Sequence, residues 1–142
     1  MSAADEVADE TLPFAATARA IADTLAKGWS KGRLDIMMSC FAEEAVFVET
    51  PFSTPIHGAA AIRTWAADIP YHQSECRFSV GEIFTAGELW FSTEFRLVFR
   101  RRKTGQWVDA RGALFAETDG QRITELRMYW HRGEGGGVPG AV

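Results

Sequence analysis

Of 142 residues only two are cysteine, Cys40 and Cys76, and only three are histidine, His57, His72 and His131. Neither set has the spacing of a zinc site or a redox pair, so no metal and no other cofactor is expected. No apolar run approaches membrane-spanning length, which argues against a membrane partner. The N-terminus is acidic and lacks a basic region followed by an apolar run. No secretory leader is expected, and a reducing, cytoplasmic setting with free thiols is the plain reading. Positive charge is also short: the net charge is −4 and the pI is near 5.4. Nucleic acid and acidic lipid are therefore poor partners for the whole domain. The one basic run, Phe99-Arg-Arg-Arg-Lys103, reads as a solvated turn in an acidic protein before it reads as a phosphate site. No Gly-rich phosphate loop and no Ser/His/Asp set is present.

What the chain has is aromatic surface, with five Trp and ten Phe. That is more than a minimal core needs, in a chain of the length of one domain. Phe14, Ala18, Ile21, Ala22, Leu25 and Trp29 recur at helical spacing, and Thr11 or Thr17 is placed to cap the start. A shorter helix is expected from Leu34 to Phe41, with Leu34, Met37, Met38 and Phe41 as its buried side. A short strand follows, in which Val46 and Val48 face one way and Phe47 and Glu49 the other. Pro51 and Pro55 keep residues 50–56 irregular. A third helix starts at Ala59, with Ile62, Trp65, Ala66 and Ile69 as its stripe, and Pro70 ends it.

From Tyr71 onward the period changes to two. Strands are expected near 74–84, 88–102, 107–118 and 122–131, joined by hairpin turns at 86–88, 103–106 and 119–121. Leu89, Phe91, Thr93, Phe95, Leu97 and Phe99 form one apolar strand face. Residues 1–10 are expected to be a mobile segment, 11–132 one α+β barrel domain, and 133–142 a Gly-rich disordered tail. Helices first and hairpin-joined strands afterwards predict an α+β fold: a curved antiparallel sheet, cone-shaped, wrapped over three N-terminal helices. The open end of such a cone is a pocket for a small molecule.

This order, with Gly32-Arg-Leu-Asp35, Phe41-Ala-Glu-Glu44, Glu49-Thr-Pro51, Pro55-Ile-His-Gly58, Ala61-Ile-Arg63 and Asp119-Gly before Ile123, resembles the nuclear-transport-factor-2-like superfamily. Within it the chain is most similar to the SnoaL-like group, which includes polyketide cyclases. The resemblance spans residues of about 14–131. It implies the cone fold and a homodimer packed through the sheet face. It also allows a position-by-position comparison. The general-base aspartate of ketosteroid isomerase falls on Glu49. Its oxyanion-hole tyrosine falls near Leu25 and its protonated aspartate near Ala113, so that mechanism finds no partner groups. (The same isomerase is a standard worked example of carboxyl tuning.) The Asp-Arg-Asp set of limonene epoxide hydrolase falls on Met128, Phe95 and Leu97, and is likewise missing.

Glu49 is the catalytic candidate. A carboxylate on a half-apolar strand face has its charged form disfavoured, which suits a general base or acid. The competing reading is a rim carboxylate paired with an arginine. Trp29, Phe52, Trp65, Trp90, Met128 and Trp130 are candidates for the wall of an apolar ligand cavity, each weighed against ordinary core, with Trp90 the weakest because its strand face is mixed; Tyr71 is a candidate for the rim. Arg111 could hold an anionic group through its planar fork. A charge ladder with Arg96 and Glu94 on the outer sheet face is favoured, because Phe95 and Leu97 compete for the inward side. His57 caps the third helix or faces water, His72 is near the rim, and His131 lies opposite Trp130. Three functions stay open: a cofactor-free acid-base enzyme of isomerase, cyclase or lyase type, a ligand-binding module, and an association module using Trp90, Val98 and Tyr129.

Overall fold

In the computed structural model the described residues are 3–133, with side chains described from 14 onward. The elements are α1 (Ala3–Lys31), α2 (Leu34–Met38), β1 (Phe41–Val48), β2 (Ile56–His57), α3 (Ala59–His72), β3 (Gln73–Val80), β4 (Phe84–Ala86), β5 (Trp90–Arg101), β6 (Trp107–Thr118) and β7 (Ile123–Arg132). Helical spacing placed the stripe of α1 correctly: Ala18, Ile21, Ala22, Leu25 and Trp29 are all buried. The helix begins at Ala3, however, so Thr11 and Thr17 lie inside it and not at its start. It ends where Gly32 adopts φ +62°, a turn only glycine makes without strain. Gly28 lets α2 press against α1, because a Cβ there would lie 2.5 Å from the Met37 nitrogen. Of the termini expected to be mobile, residues 1–2 and 134–142 lie outside the described residues.

Two helix ends differ from the expectation. Phe41 opens β1 and does not close α2, which stops at Met38. Its ring is buried all the same, 6.4 Å from that of Phe47. Pro70 lies inside α3, which runs on to His72. In a last turn the ring forfeits only one intrahelical bond, and the Gln73 N–H still closes on the Ile69 carbonyl. Ile56 and His57, beyond the last proline of the loop, have N–H groups to offer and pair with β1.

The seven strands form one curved, unclosed sheet in the order β2-β1-β7-β6-β5-β3, with β4 beside β5. The three hairpin turns are as expected. One pairing is not: β1 runs parallel to β7, with Phe47 level with Leu126 and Val48 with Arg127. The sheet is therefore mixed, because β1 is separated from the meander by α3 and returns beside its last strand. The helices cover the concave side, giving the α+β cone.

Along each strand the inward residues form layers. Phe47, Thr93, Leu114 and Leu126 are at most 1% exposed and fill one end of the cone, against Ile62 of α3 and Leu25 of α1. Beyond them Phe95 and Trp130 stand level across Gly112, then Leu97 and Arg132 across Ala110, then Phe99 beside Val108, and the packing opens out. The filled end carries the stability, and the other end holds the cavity.

Candidate functional site

The cavity occupies about 150 Å³ between α1, α3 and the inward faces of β5, β6 and β7. That is close to the size of a void that holds one benzene ring, and below the roughly 300–1,000 Å³ of common ligand pockets. A guest is thus one ring or branched chain, or a longer molecule projecting from the mouth. The walls are Trp29, Trp65, Phe95, Leu97, Phe99, Val108, Ala110, Met128 and Trp130, and the polar groups are Glu49, Gln73, Arg101 and Arg132.

Glu49 follows the last residue of β1. The alternation that buries Ala45 and Phe47 carries its side chain to the same side, half-buried. Two tryptophans hold it. The Trp130 indole N–H donates to the Glu49 carbonyl at 3.0 Å, fixing the backbone. The Trp65 indole stands near the carboxyl group and favours its charged form. Burial raises the carboxyl pKa above the ordinary glutamate value, and the indole pulls only partly back. Among the described residues no arginine, lysine or histidine forms an ion pair with Glu49. The rim-pair reading is therefore not what the structure shows.

The tryptophans are themselves braced. Trp29 meets Trp65 edge-on at 5.7 Å and stacks on Phe78 at 5.0 Å, and Phe47 lies 4.7 Å from Trp65. Trp29 also donates to the Gln73 side-chain oxygen at 3.3 Å. The floor of the cavity is thus built from packed rings, with the Trp29 indole N–H already committed, which suits an apolar guest.

Of the candidates from sequence, Glu49, Trp29, Trp65, Met128 and Trp130 come together around this cavity. Phe52, Tyr71 and Arg111 do not. Phe52 sits in the irregular loop after β1 and is fully exposed. Tyr71 is in the last turn of α3, off its apolar stripe, and is 77% exposed. Arg111 is on β6, where the even-numbered residues Val108, Ala110 and Leu114 face inward, so its side chain lies on the outer face. There it pairs with Asp109 at 3.0 Å, and Asp109 also takes a two-pronged bond from Arg96 at 3.0 and 2.9 Å. The ladder reading holds, with Asp109 and not Glu94 as its acid. The two guanidinium groups hold the Asp109 carboxyl down at about 2.

The histidines stay outside the cavity: His57 and His131 are exposed, and His72 pairs with Asp68 at 3.0 Å. Among the described residues no three His, Cys, Asp or Glu side chains stand together as a metal site. Burial pushes the Cys40 and Cys76 thiols up to about 11, so neither is a ready nucleophile. Sequence reading missed Gln73, Arg101 and Arg132. For the two arginines the signal was there: Arg101 extends the series Leu97, Phe99, and Arg132 extends Met128, Trp130.

The nearest polar groups to Glu49 are few. The positions compared with the isomerase partners are Leu25, which is buried in the core, and Ala113, on the outward-facing side of β6. Among the residues lining the cavity, no tyrosine or second acid stands in for them.

A putative isomerase from Bacillus subtilis superposes with a TM-score of 0.73 at 21% identity, covering 81% of this chain and 86% of that one. The Δ5-3-ketosteroid isomerase of a Mycobacterium species gives 0.69 at 18% identity, over 81% and 93%. A hypothetical protein with ketosteroid isomerase-like fold from Catenulispora acidiphila, in complex with trimethylamine, gives 0.70 at 17% identity, over 77% and 83%. At these identities the likeness is one of fold. No curated protein matches the sequence. The SnoaL-like domain family matches residues 21–126. With the cone and its helices described above, the chain belongs to the SnoaL-like domain family of the nuclear-transport-factor-2-like superfamily.

Proposed function

We propose that this protein binds a small, largely apolar molecule in the cone cavity and that Glu49 carries out acid-base chemistry on it, of isomerase, cyclase or lyase type. The observation that supports this reading is a half-buried carboxyl group with raised pKa, no cation paired with it among the described residues, and aromatic walls around it. A proton on the carbon beside a carbonyl group is a fitting target for such a base. The Trp65 indole and the Gln73 amide are the neighbouring donors that could steady the oxygen of a developing enolate. No cofactor is invoked.

The test works whatever the natural product is. A panel of small cyclic enones and diketones in deuterated water is followed by NMR for exchange of the carbon-bound proton. Catalysed exchange that falls by about a hundredfold or more in Glu49→Gln supports the assignment. Exchange unchanged by that substitution removes Glu49 from the mechanism.

A second reading is a binding module that returns its ligand unaltered. It is favoured by the missing partner groups at Leu25 and Ala113, and by Met128 where the epoxide hydrolases carry an acid. A ligand that stabilises the fold and is recovered unchanged separates it from catalysis. We also propose a homodimer through the outer sheet face, where Trp90, Phe115 and Tyr129 are each at least 40% exposed. Val98, expected there too, is buried. Sedimentation as a monomer across micromolar concentrations would overturn the dimer. A cytoplasmic setting accords with two free thiols. No helix among the described residues is long and apolar enough to cross a membrane.

A further inference from the structure

The basic run Phe99–Lys103 divides in two directions. Arg100 donates to the Gly105 carbonyl at 3.0 Å, and its guanidinium lies 5.9 Å from the Trp107 ring centroid. Arg102 donates to the Pro70 carbonyl. Arg101, between them, takes the other face of β5 and lines the cavity after Phe95, Leu97 and Phe99. Arg132 does the same on β7, after Met128 and Trp130. Among the described residues neither guanidinium is in an ion pair or a side-chain hydrogen bond. Two uncommitted cations thus stand at one apolar cavity in an acidic protein.

Their depth differs from that of Glu49. The parallel register sets Val48 beside Arg127, so the next residue, Glu49, is level with Met128. Arg132 is four residues further along β7, roughly 13 Å at about 3.3 Å per residue. Arg101 likewise follows Phe99 at the end of β5. The register sets Arg132 level with Ala110 and Leu97, and Arg101 four residues beyond, so the cavity has an acid at its depth and two guanidinium groups at successive levels toward its mouth, with rings between.

We propose that the ligand is a small amphipathic carboxylate, its apolar body between Trp29, Phe95, Met128 and Trp130 and its carboxylate on Arg101 and Arg132. This rests on reading the cavity as a ligand site. A guanidinium fork matches the two oxygens of a carboxylate, and the apolar walls beside it strengthen the attraction. Glu49 would repel an anion at the bottom, so one orientation is preferred: carboxylate outward, reacting end inward. The volume of about 150 Å³ limits the buried part to a single ring or its equivalent.

Phenylacetate and its neutral counterpart phenylacetamide test this, with binding read from the fluorescence of the cavity tryptophans. Wild type is expected to bind the acid about tenfold more tightly than the amide, with the advantage shrinking as salt is added. The double variant Arg101→Gln/Arg132→Gln is expected to bind both alike, and Arg101→Lys/Arg132→Lys to keep part of the preference. Equal affinity for acid and amide in wild type overturns the anion proposal and leaves the cavity standing as a ligand site. A preference that survives in the glutamine double variant overturns the assignment to these two residues. Failure of both compounds to bind at millimolar concentration overturns the cavity reading and this proposal together.

Discussion

The indole N–H of Trp130 donates to the backbone carbonyl of Glu49 at 3.0 Å, joining the last strand of the sheet to the end of the first. The bond spans a parallel pairing whose register sets Val48 level with Arg127. It fixes where the Glu49 side chain leaves the backbone, and so where the carboxyl group enters the cavity. Trp130→Phe keeps a ring in the wall, smaller than the indole, and removes the donor. The carbonyl then loses its partner in a partly buried place. The expected cost is about 1 kcal/mol, or roughly 3–5 °C in Tm, measured by thermal unfolding. A variant as stable as wild type would show that the bond holds nothing.

Glu49 should burden the folded state at neutral pH. Its pKa is raised on folding, so the native protein holds that proton more tightly than the unfolded chain. The corresponding stability is present below the ordinary value of 4.5 and is lost as pH rises through the folded value. Glu49→Gln removes the buried charge. Its Tm is expected to exceed that of wild type at pH 7–8, and the gap to close toward about pH 4. A gap that stays constant over that range contradicts a raised pKa.

Asp109 predicts the opposite sign. Hydrogen bonds from Arg96 and Arg111 lower its pKa from 3.8 to about 2. Its contribution is present above the ordinary value and lost as pH falls through the folded one. Arg96 and Arg111 are also direct cross-strand partners, so removing the acid leaves two like charges face to face. Asp109→Asn is expected to cost about 1 kcal/mol at pH 7, with the difference from wild type vanishing near pH 2. Urea titrations at the two pH values measure it, and a cost that persists at low pH would point to packing instead.

Gly112 is required for reasons of space. A Cβ there would collide with the Tyr129 carbonyl oxygen and stand 2.6 Å from the Trp130 Cα. Backbone cannot yield as a side-chain end can, and β7 carries the Trp130 bond to Glu49. Gly112→Ala is expected to cost more than about 2 kcal/mol. Gly87 makes a control: its φ is +64° and nothing lies within 4 Å of a Cβ, so Gly87→Ala pays only for the left-handed turn, about 1 kcal/mol. Equal losses in the two variants would refute the crowding at Gly112.

The fold was legible because its signals are local. The stripe of α1, the alternation of β5 and the turns at Gly87, Gly105 and Gly120 each depend on neighbours a few residues apart. The parallel pairing of β1 with β7 was not, since nothing in either strand specifies a partner distant in sequence. Alternation placed Glu49, Met128 and Trp130 on inward faces but says nothing about which layer is filled and which is hollow. Arg101 and Arg132 were missed for a related reason. Charged residues at strand ends read as solvent-facing, yet strand periodicity carries both onto the inward side. Phe52 and Tyr71 differ again: aromatic character points to a pocket, while a proline-bounded loop and a last helical turn offer no face that reaches it.

The most direct test is the ionisation of one side chain. Carbon-13 labelling of the glutamate carboxyl groups, with Glu49→Gln to assign its signal, allows titration by NMR. A Glu49 resonance that titrates above the ordinary glutamate value, and that moves when phenylacetate enters the cavity, is the predicted result. A Glu49 that titrates at the ordinary value and ignores every cavity ligand would contradict the assignment of this acid to the working end of the cone.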